Sequence, residues 1–366
     1  MSYTSFAVND SNAIKVWSQE VAVAERETSD IAKLMGEDAD SIIQVKNDFS
    51  KTNGKGDQIT YTLRARVGGK GFTEGQTAQG NARALSFYND SVLINELGQT
   101  VGVKPKNTID QQRVPMDLRS EGRDGLAEWW KDRKSVCFFN HACGYTVANT
   151  ESDTSGAVFT GHNTVVAPSS TRQLWAGSAT TDQGLTSADT FTVSLIDRAK
   201  ELAMLGDNIV APVMIGGQPK HVMYIDPSQV TSLRTNAGQG GWLDIQKAAI
   251  MGGQTTGNAI YTGALGEWNN VILRQSQDIT LGVHSSAGTA VSNTRRAVLL
   301  GRQAAVCAYG GANQYGPMKY RWSEEIFDHG RLLELGAWSI WGMKKCRFNS
   351  VDFGTIVVST YAARQG

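Results

Sequence analysis

Proline, histidine and cysteine are all scarce in this chain of 366 residues, which holds seven, five and four of them. The four cysteines, Cys137, Cys143, Cys307 and Cys346, are scattered and form no Cys-x-x-Cys pair, which excludes a dense disulfide framework and reads as reduced core thiols. His162, His221, His284 and His329 each stand alone, and no Gly-x-Ser-x-Gly elbow is present, so nothing nominates a catalytic nucleophile. Neither sign of charge dominates: 35 basic and 35 acidic side chains cancel, which argues against a polybasic reader of nucleic acid and against an acidic disordered chain. No segment approaches the ~18 apolar residues of a membrane helix; even LLELGAWSIWGM is short and carries Glu334. The N-terminus lacks a basic start followed by an apolar stretch, so no export signal and a cytosolic site of synthesis are expected.

Glycine, by contrast, is abundant, with 39 residues against roughly 7% in average composition. With 40% hydrophobic residues, the chain has material for sizeable cores in one large domain or two to three ordinary ones. Five glycines and a lysine fall in RVGGKGFTEGQTAQG, Arg66 to Gly80. A phosphate cradle would require Gly-Lys-Ser/Thr opening a helix, but Lys70 is followed by Gly71, Phe72, Thr73, Glu74 and Gly75. The flanks point elsewhere. Ile59, Tyr61, Leu63, Ala65 and Val67 alternate with polar residues, Leu85 and Phe87 resume the alternation, and Ser91–Leu97 is again strand-like. Two strands joined by more than ten flexible residues make an arm leaving the body, not a tight turn.

Elsewhere, Met116–Gly144 carries apolar residues at helical spacing, Leu118, Leu126, Trp129, Trp130, Val136 and Cys137, with Pro115 near its start and Gly144 as its stop. Helices are expected around Ala13–Met35, over Ser187–Leu205 with a serine cap and Gly206 as its stop, from Pro227 behind a capping Asp226, and over Trp242–Met251. Strands are expected at Val222–Ile225, Val271–Arg274, Ala297–Leu300, Lys319–Phe327 and Thr355–Thr360. Helices and strands mix without regular alternation, so the fold class is α+β and not a doubly wound nucleotide-binding sheet.

Cys137, His141 and Cys143 offer zinc-type ligands, but 143 falls half a turn from 141 and no fourth ligand is nearby; core thiols beside a polar histidine are the simpler reading. Glu324 and Glu325 are adjacent in a strand-like run and point to opposite faces, which suits a salt-bridged or solvated surface. Trp129 and Trp130 cannot share one helix face, so one is expected under the helix and the other against a neighbouring element or subunit.

The segment DLRSEGRDGLAEWWKDR, Asp117 to Arg133, followed by Phe139, Asn140 and Gly144, together with YIDPSQVTSLR and DFGTIVVST, resembles the podovirus-type major capsid proteins of tailed phages. The resemblance runs from about residue 50 onward and is weakest over 145–185. It implies a Johnson-type phage capsid fold: an N-terminal arm over 1–50, an extended loop hairpin over 51–100 and a spine helix of the peripheral domain over 101–144. A surface excursion over 145–186, an axial domain with parts of the peripheral domain over 187–318, and peripheral return strands over 319–366 would complete it. The extended loop, with Arg64, Arg66, Gly68, Gly69, Lys70, Gly71, Phe72, Glu74, Gly75 and Gly80, would lie across a neighbouring subunit. Arg119, Arg123, Glu128, Trp129, Trp130 and Arg133 would make the spine-helix contacts, and Gly122 and Gly125 would ease a bend there. No catalytic, metal or cofactor site is implied. The partners implied are further copies as hexamers and pentamers, a separate scaffolding protein, a portal protein, a decoration protein and packaged double-stranded DNA bound non-specifically, with no membrane. One member type cross-links a loop lysine to an asparagine; Lys70 and Asn349 would be the candidates, although an exposed loop lysine is ordinarily just solvated. An encapsulin-like compartment shell, another self-associating head protein and an α+β enzyme are the alternative readings.

Overall fold

The computed structural model describes residues 21, 31–47, 56–64, 67–105, 108–145, 160–205, 209–235, 265–310 and 320–364. The helix expected over Trp242–Met251, most of the N-terminal arm and Gly206 lie outside them. Along the chain run β1 (Ile43–Lys46), β2 (Gln58–Arg64), β3 (Phe87–Leu93), β4 (Asn95–Val103), α1 (Leu118–Cys143), β5 (Gln173–Trp175), α2 (Val193–Leu205), β6 (Gln218–Ile225), α3 (Pro227–Thr235), β7 (Val271–Gln275), β8 (Thr294–Leu300), β9 (Ala305–Tyr309), β10 (Arg321–Phe327), β11 (Leu332–Lys345) and β12 (Thr355–Tyr361), with shorter pieces between.

Helix α1 is defined at both ends by its own sequence. The Asp117 carboxylate accepts the Arg119 amide at 3.1 Å, and Gly144 takes the left-handed conformation at φ 71°, which lets its amide and that of Tyr145 reach back to the Asn140 carbonyl. A Cβ at Gly144 would also press on Pro168 at 2.6 Å.

Two sheets enclose this helix. In the first, β1, β9, β11 and β10 pair in that order, β4 pairs the other edge of β11, and Met35–Gly36 extends the β1 edge. In the second the order is β5, β12, β8, β6, β7 and Gly266–Trp268. Side chains in a strand alternate between faces, and the second sheet uses both. Val222, Tyr224, Val298, Leu300 and Val357 face the core shared with Leu126, Trp130, Phe138 and Phe139 of α1. Met223, Ile225, Leu299, Ile356 and Val358 face a second core with Leu195, Ile196 and Ala199 of α2 and Val230 and Leu233 of α3. Asp226 caps α3 by accepting the Ser228 amide at 2.9 Å.

Several expectations shift. The run Ser91–Leu97 is split at Ile94 between two sheets, because β3 pairs β2 whereas β4 pairs β11. Helix α2 begins at Val193, not Ser187, since Ser187–Phe191 first joins the second sheet through the Thr190–Tyr361 bridge and buries Phe191. Ala32–Leu34 make one tight 3₁₀ turn, after which Met35 opens a strand instead of closing a helix. The longest strand, β11, lies over LLELGAWSIWGMKK, where burial on both faces removes the period-two signal.

The stretch 160–186 is woven into the body, unlike the surface excursion expected there. β5 adds to β12 in parallel, Asn163, Arg172 and Asp182 are buried, and Ala176 and Leu185 join the second core.

Candidate assembly surface on the extended hairpin and spine helix

β2 and β3 form an antiparallel pair from Gln58 opposite Leu93 out to Arg64 opposite Phe87. Only its base has a core: Ile59, Tyr61, Val92 and Ile94 pack on Val306, Ala308 and Cys346, with Ile340, Phe348 and Phe353 around them. Tyr88 adds an edge-on contact with Phe348, ring centroids 4.4 Å apart. Beyond the base, every described residue from 67 to 89 is exposed.

The loop residues named from sequence all lie in this exposed reach, save that Arg66 falls outside the described residues and only the backbone of Arg64 is placed, opposite Phe87. Gly68, Gly69, Lys70, Gly71, Phe72, Glu74, Gly75 and Gly80 are exposed. Gly71, Gly75 and Gly80 have φ of 73°, 86° and 83°, values that side chains with a Cβ rarely adopt. Turns close where the Gln76 amide meets the Thr73 carbonyl and the Asn81 amide meets the Ala78 carbonyl, both at 3.1 Å. Large apolar side chains stand in solvent along the arm: Val67, Phe72, Leu85 and Phe87 are each more than half exposed.

An ion pair and a phenol hold the base. The Asp90 carboxylate accepts from Lys344 Nζ at 2.6 Å, from the Tyr61 hydroxyl at 2.9 Å and from the Ser91 amide at 2.8 Å. Burial pushes the Asp90 carboxyl up, but these three donors outweigh it and hold the group below its ordinary value. Burial drives the Tyr61 phenol far upward, with Cys346 and Asp90 adding to the shift, so Tyr61 stays protonated and donates.

On the spine helix the named residues divide. Trp130 is fully buried, donates to the Ala337 carbonyl at 3.3 Å and packs edge-on against Tyr320 and Trp341. Trp129 is half-buried beneath the Arg133 guanidinium, 5.4 Å from its ring. Arg119 grips the buried Glu324 through contacts of 2.6, 2.8 and 3.1 Å, and Trp322 Nε1 donates to the same carboxylate at 2.8 Å. That cluster pins the start of α1 to β10. Arg123 pairs with Asp124 at 2.8 Å, and Glu128 is exposed.

The zinc-type trio is spent on the core. His141 Nε2 donates to the Thr160 carbonyl at 2.7 Å, the Cys143 thiol donates to the Arg296 carbonyl at 3.3 Å, and among the described residues no cluster of ligands suits a metal. Burial, with the Lys345 and Lys344 charges adding to it, depresses His141 to about 4 despite the Thr160 bond. All four cysteines are free and buried.

Sequence reasoning missed Lys134, which is buried in a box of Trp130, Tyr309 and Tyr320 and donates to the Tyr320 hydroxyl at 2.5 Å. Its only local signal is a lysine on the apolar stripe of α1.

The phage capsid protein family model matches residues 5–364. The chain is 26% identical over 400 residues to the major capsid protein of Pseudomonas phage KPP25, covering 99% of this chain and 98% of that one. Among solved structures it is similar to the capsid of Ralstonia phage GP4, at 32% identity, full coverage of both chains and a TM-score of 0.80. The cyanophage Pam1 capsid shares the fold at 18% identity and a TM-score of 0.68, with 100% of this chain and 97% of that one covered. An α+β body with a projecting hairpin and a long helix clasped between two sheets is thus the phage capsid fold, and the chain belongs to the phage capsid protein family as a major capsid protein of a phage.

Proposed function

We propose that many copies of this chain close into the icosahedral head of a tailed phage around double-stranded DNA, each subunit laying its extended hairpin across a neighbour. The observation that carries this reading is the contrast along one hairpin: a buried base, then an exposed reach from 67 to 89 bearing Val67, Phe72, Leu85 and Phe87. A two-stranded ribbon alone in water is marginally stable, and so many apolar side chains on one exposed arm mark a surface meant to be covered. Arg64, Arg66, Lys70 and Glu74 supply charges for the seam, each pair weak by itself and repeated in every subunit. The balanced net charge limits repulsion between like subunits. Hexamers and pentamers would form in the host cytoplasm with a scaffolding protein and a portal, and a decoration protein would bind outside.

The test is size-exclusion chromatography with negative-stain microscopy of the full chain, alone and co-expressed with its scaffolding partner, with salt varied. Shells, tubes or capsomer rings are expected. A monomer under both conditions, or shells unchanged after deletion of Gly68–Gly80, would overturn the assignment of the hairpin as the assembly arm.

A further inference from the structure

β3 has a second edge, the one facing away from β2. At the base of the hairpin that edge is met by side chains in place of a strand. The Leu93 amide donates to Asn163 Oδ1 at 2.9 Å, and Asn163 Nδ2 donates back to the Leu93 carbonyl at 3.0 Å. These are the two bonds that an opposing strand residue would exchange with Leu93 in an antiparallel ladder. Two residues outward, Lys344 Nζ donates to the Ser91 carbonyl at 3.3 Å while it pairs with Asp90.

Asn163 is itself fixed. It is nearly fully buried, and Nδ2 also donates to the Gly161 carbonyl at 2.8 Å. The segment 160–163 is wedged between α1 and β11: Thr160 accepts from His141, the Gly161 carbonyl accepts the Met343 amide at 3.2 Å, and a Cβ on Gly161 would lie 2.6 Å from the Cys137 sulfur. Opposite it, Gly342 lets the chain pass, because a Cβ there would collide with the Leu93 carbonyl. Leu93 is the last residue of the hairpin, and the next strand, β4, belongs to the body sheet.

We infer that Asn163 is a positioning residue that sets the angle at which the extended hairpin leaves the subunit. The apolar pad beneath the hairpin is non-directional and would tolerate a swing. The paired amide bonds at Leu93 are directional and would not. Asn163 latches the pivot and the Lys344–Asp90 pair steadies it one step further out, so the arm is aimed before any neighbour arrives. The consequence for shell closure rests on the function proposed above; the latch itself does not.

The test is amide hydrogen exchange on the unassembled full chain, wild type against Asn163→Ala. Two directional bonds are lost, so exchange across Phe87–Leu97 should quicken roughly 10- to 100-fold, while Thr294–Leu300 in the second sheet stays unchanged. Unchanged hairpin exchange, or an equal rise in Thr294–Leu300, would overturn the latch. Should the variant not fold, the wild type decides: the Leu93 amide should exchange far more slowly than that of Asn89, which stands at the same phase of the strand four residues outward, and equal rates would refute it. Asn163→Ala shells should include several times more open or misshapen particles, and uniformly closed shells would refute the aiming role. A wild type that forms no shells would sink the proposed function and leave the exchange result standing.

Discussion

Asp182 sits where three parts of the chain meet, accepting from the Arg296 guanidinium at 2.7 and 2.9 Å, from Trp175 Nε1 at 2.9 Å and from the Val283 amide at 2.7 Å. Arg296 also donates to the carbonyl of Cys143, the last residue of α1, at 3.1 Å. Replacing Arg296 with Met would leave a buried carboxylate without its cation, and we expect a loss of ~3–5 kcal/mol in urea unfolding. His141 gives the molecule a pH signature. Its folded value of about 4 lies below the ordinary 6.5, so on acidification the unfolded chain takes up this proton first. The contribution of His141 is therefore intact above about 6.5 and erodes as pH falls towards 4, by at most ~3 kcal/mol. His162 and His221, also depressed by burial, act in the same direction. Urea midpoints measured from pH 7 to pH 4 should fall, and His141→Gln should flatten part of that slope. The Asp182 cluster was not legible in the sequence, since Asp182 lies in a stretch without period and its cation is 114 residues away.

Among the elements, α1 was the most legible, since periodicity, a proline near its start and a terminal glycine all agree on it. Its two interior glycines, read as a shared weak point, turn out to differ. A Cβ at Gly122 would approach Leu335 at 2.8 Å and Val103 at 3.3 Å, whereas at Gly125 it would meet open space. Gly122 therefore serves close packing of the helix on β4 and β11. We expect Gly122→Ala to destabilise, and Gly125→Ala to stabilise by ~0.5–1 kcal/mol, in thermal unfolding of the subunit. If the helix must bend there when the shell matures, Gly125→Ala particles should also expand more slowly in time-resolved scattering. β11 was implied only by the resemblance, within the return strands of 319–366, and not by its own pattern: it is covered on both faces and by strands on both edges, so no polar alternation survives to announce it.

For the whole molecule, the division between body and arm was readable because a solvated ribbon keeps a strict alternation and a glycine-rich tip. The wiring between them was not, since Asn163, Lys344 and Asp90 come from three distant segments. Deleting Gly68–Gly80 removes only exposed residues, so the truncated subunit should unfold within about 1 °C of the full chain, a shift worth under ~1 kcal/mol, while losing its shells under the microscope. The four thiols carry a last implication. Burial holds Cys137 and Cys143 above their usual range and Cys346 up to about 12, and Cys307 is equally enclosed. Thiolate is the reactive species, so a particle built from this chain should resist maleimides and mild oxidants. On the free subunit, a Lys70→Cys substitution on the exposed arm would then supply a single addressable thiol, ready for dyes or gold without first stripping the native sulfurs.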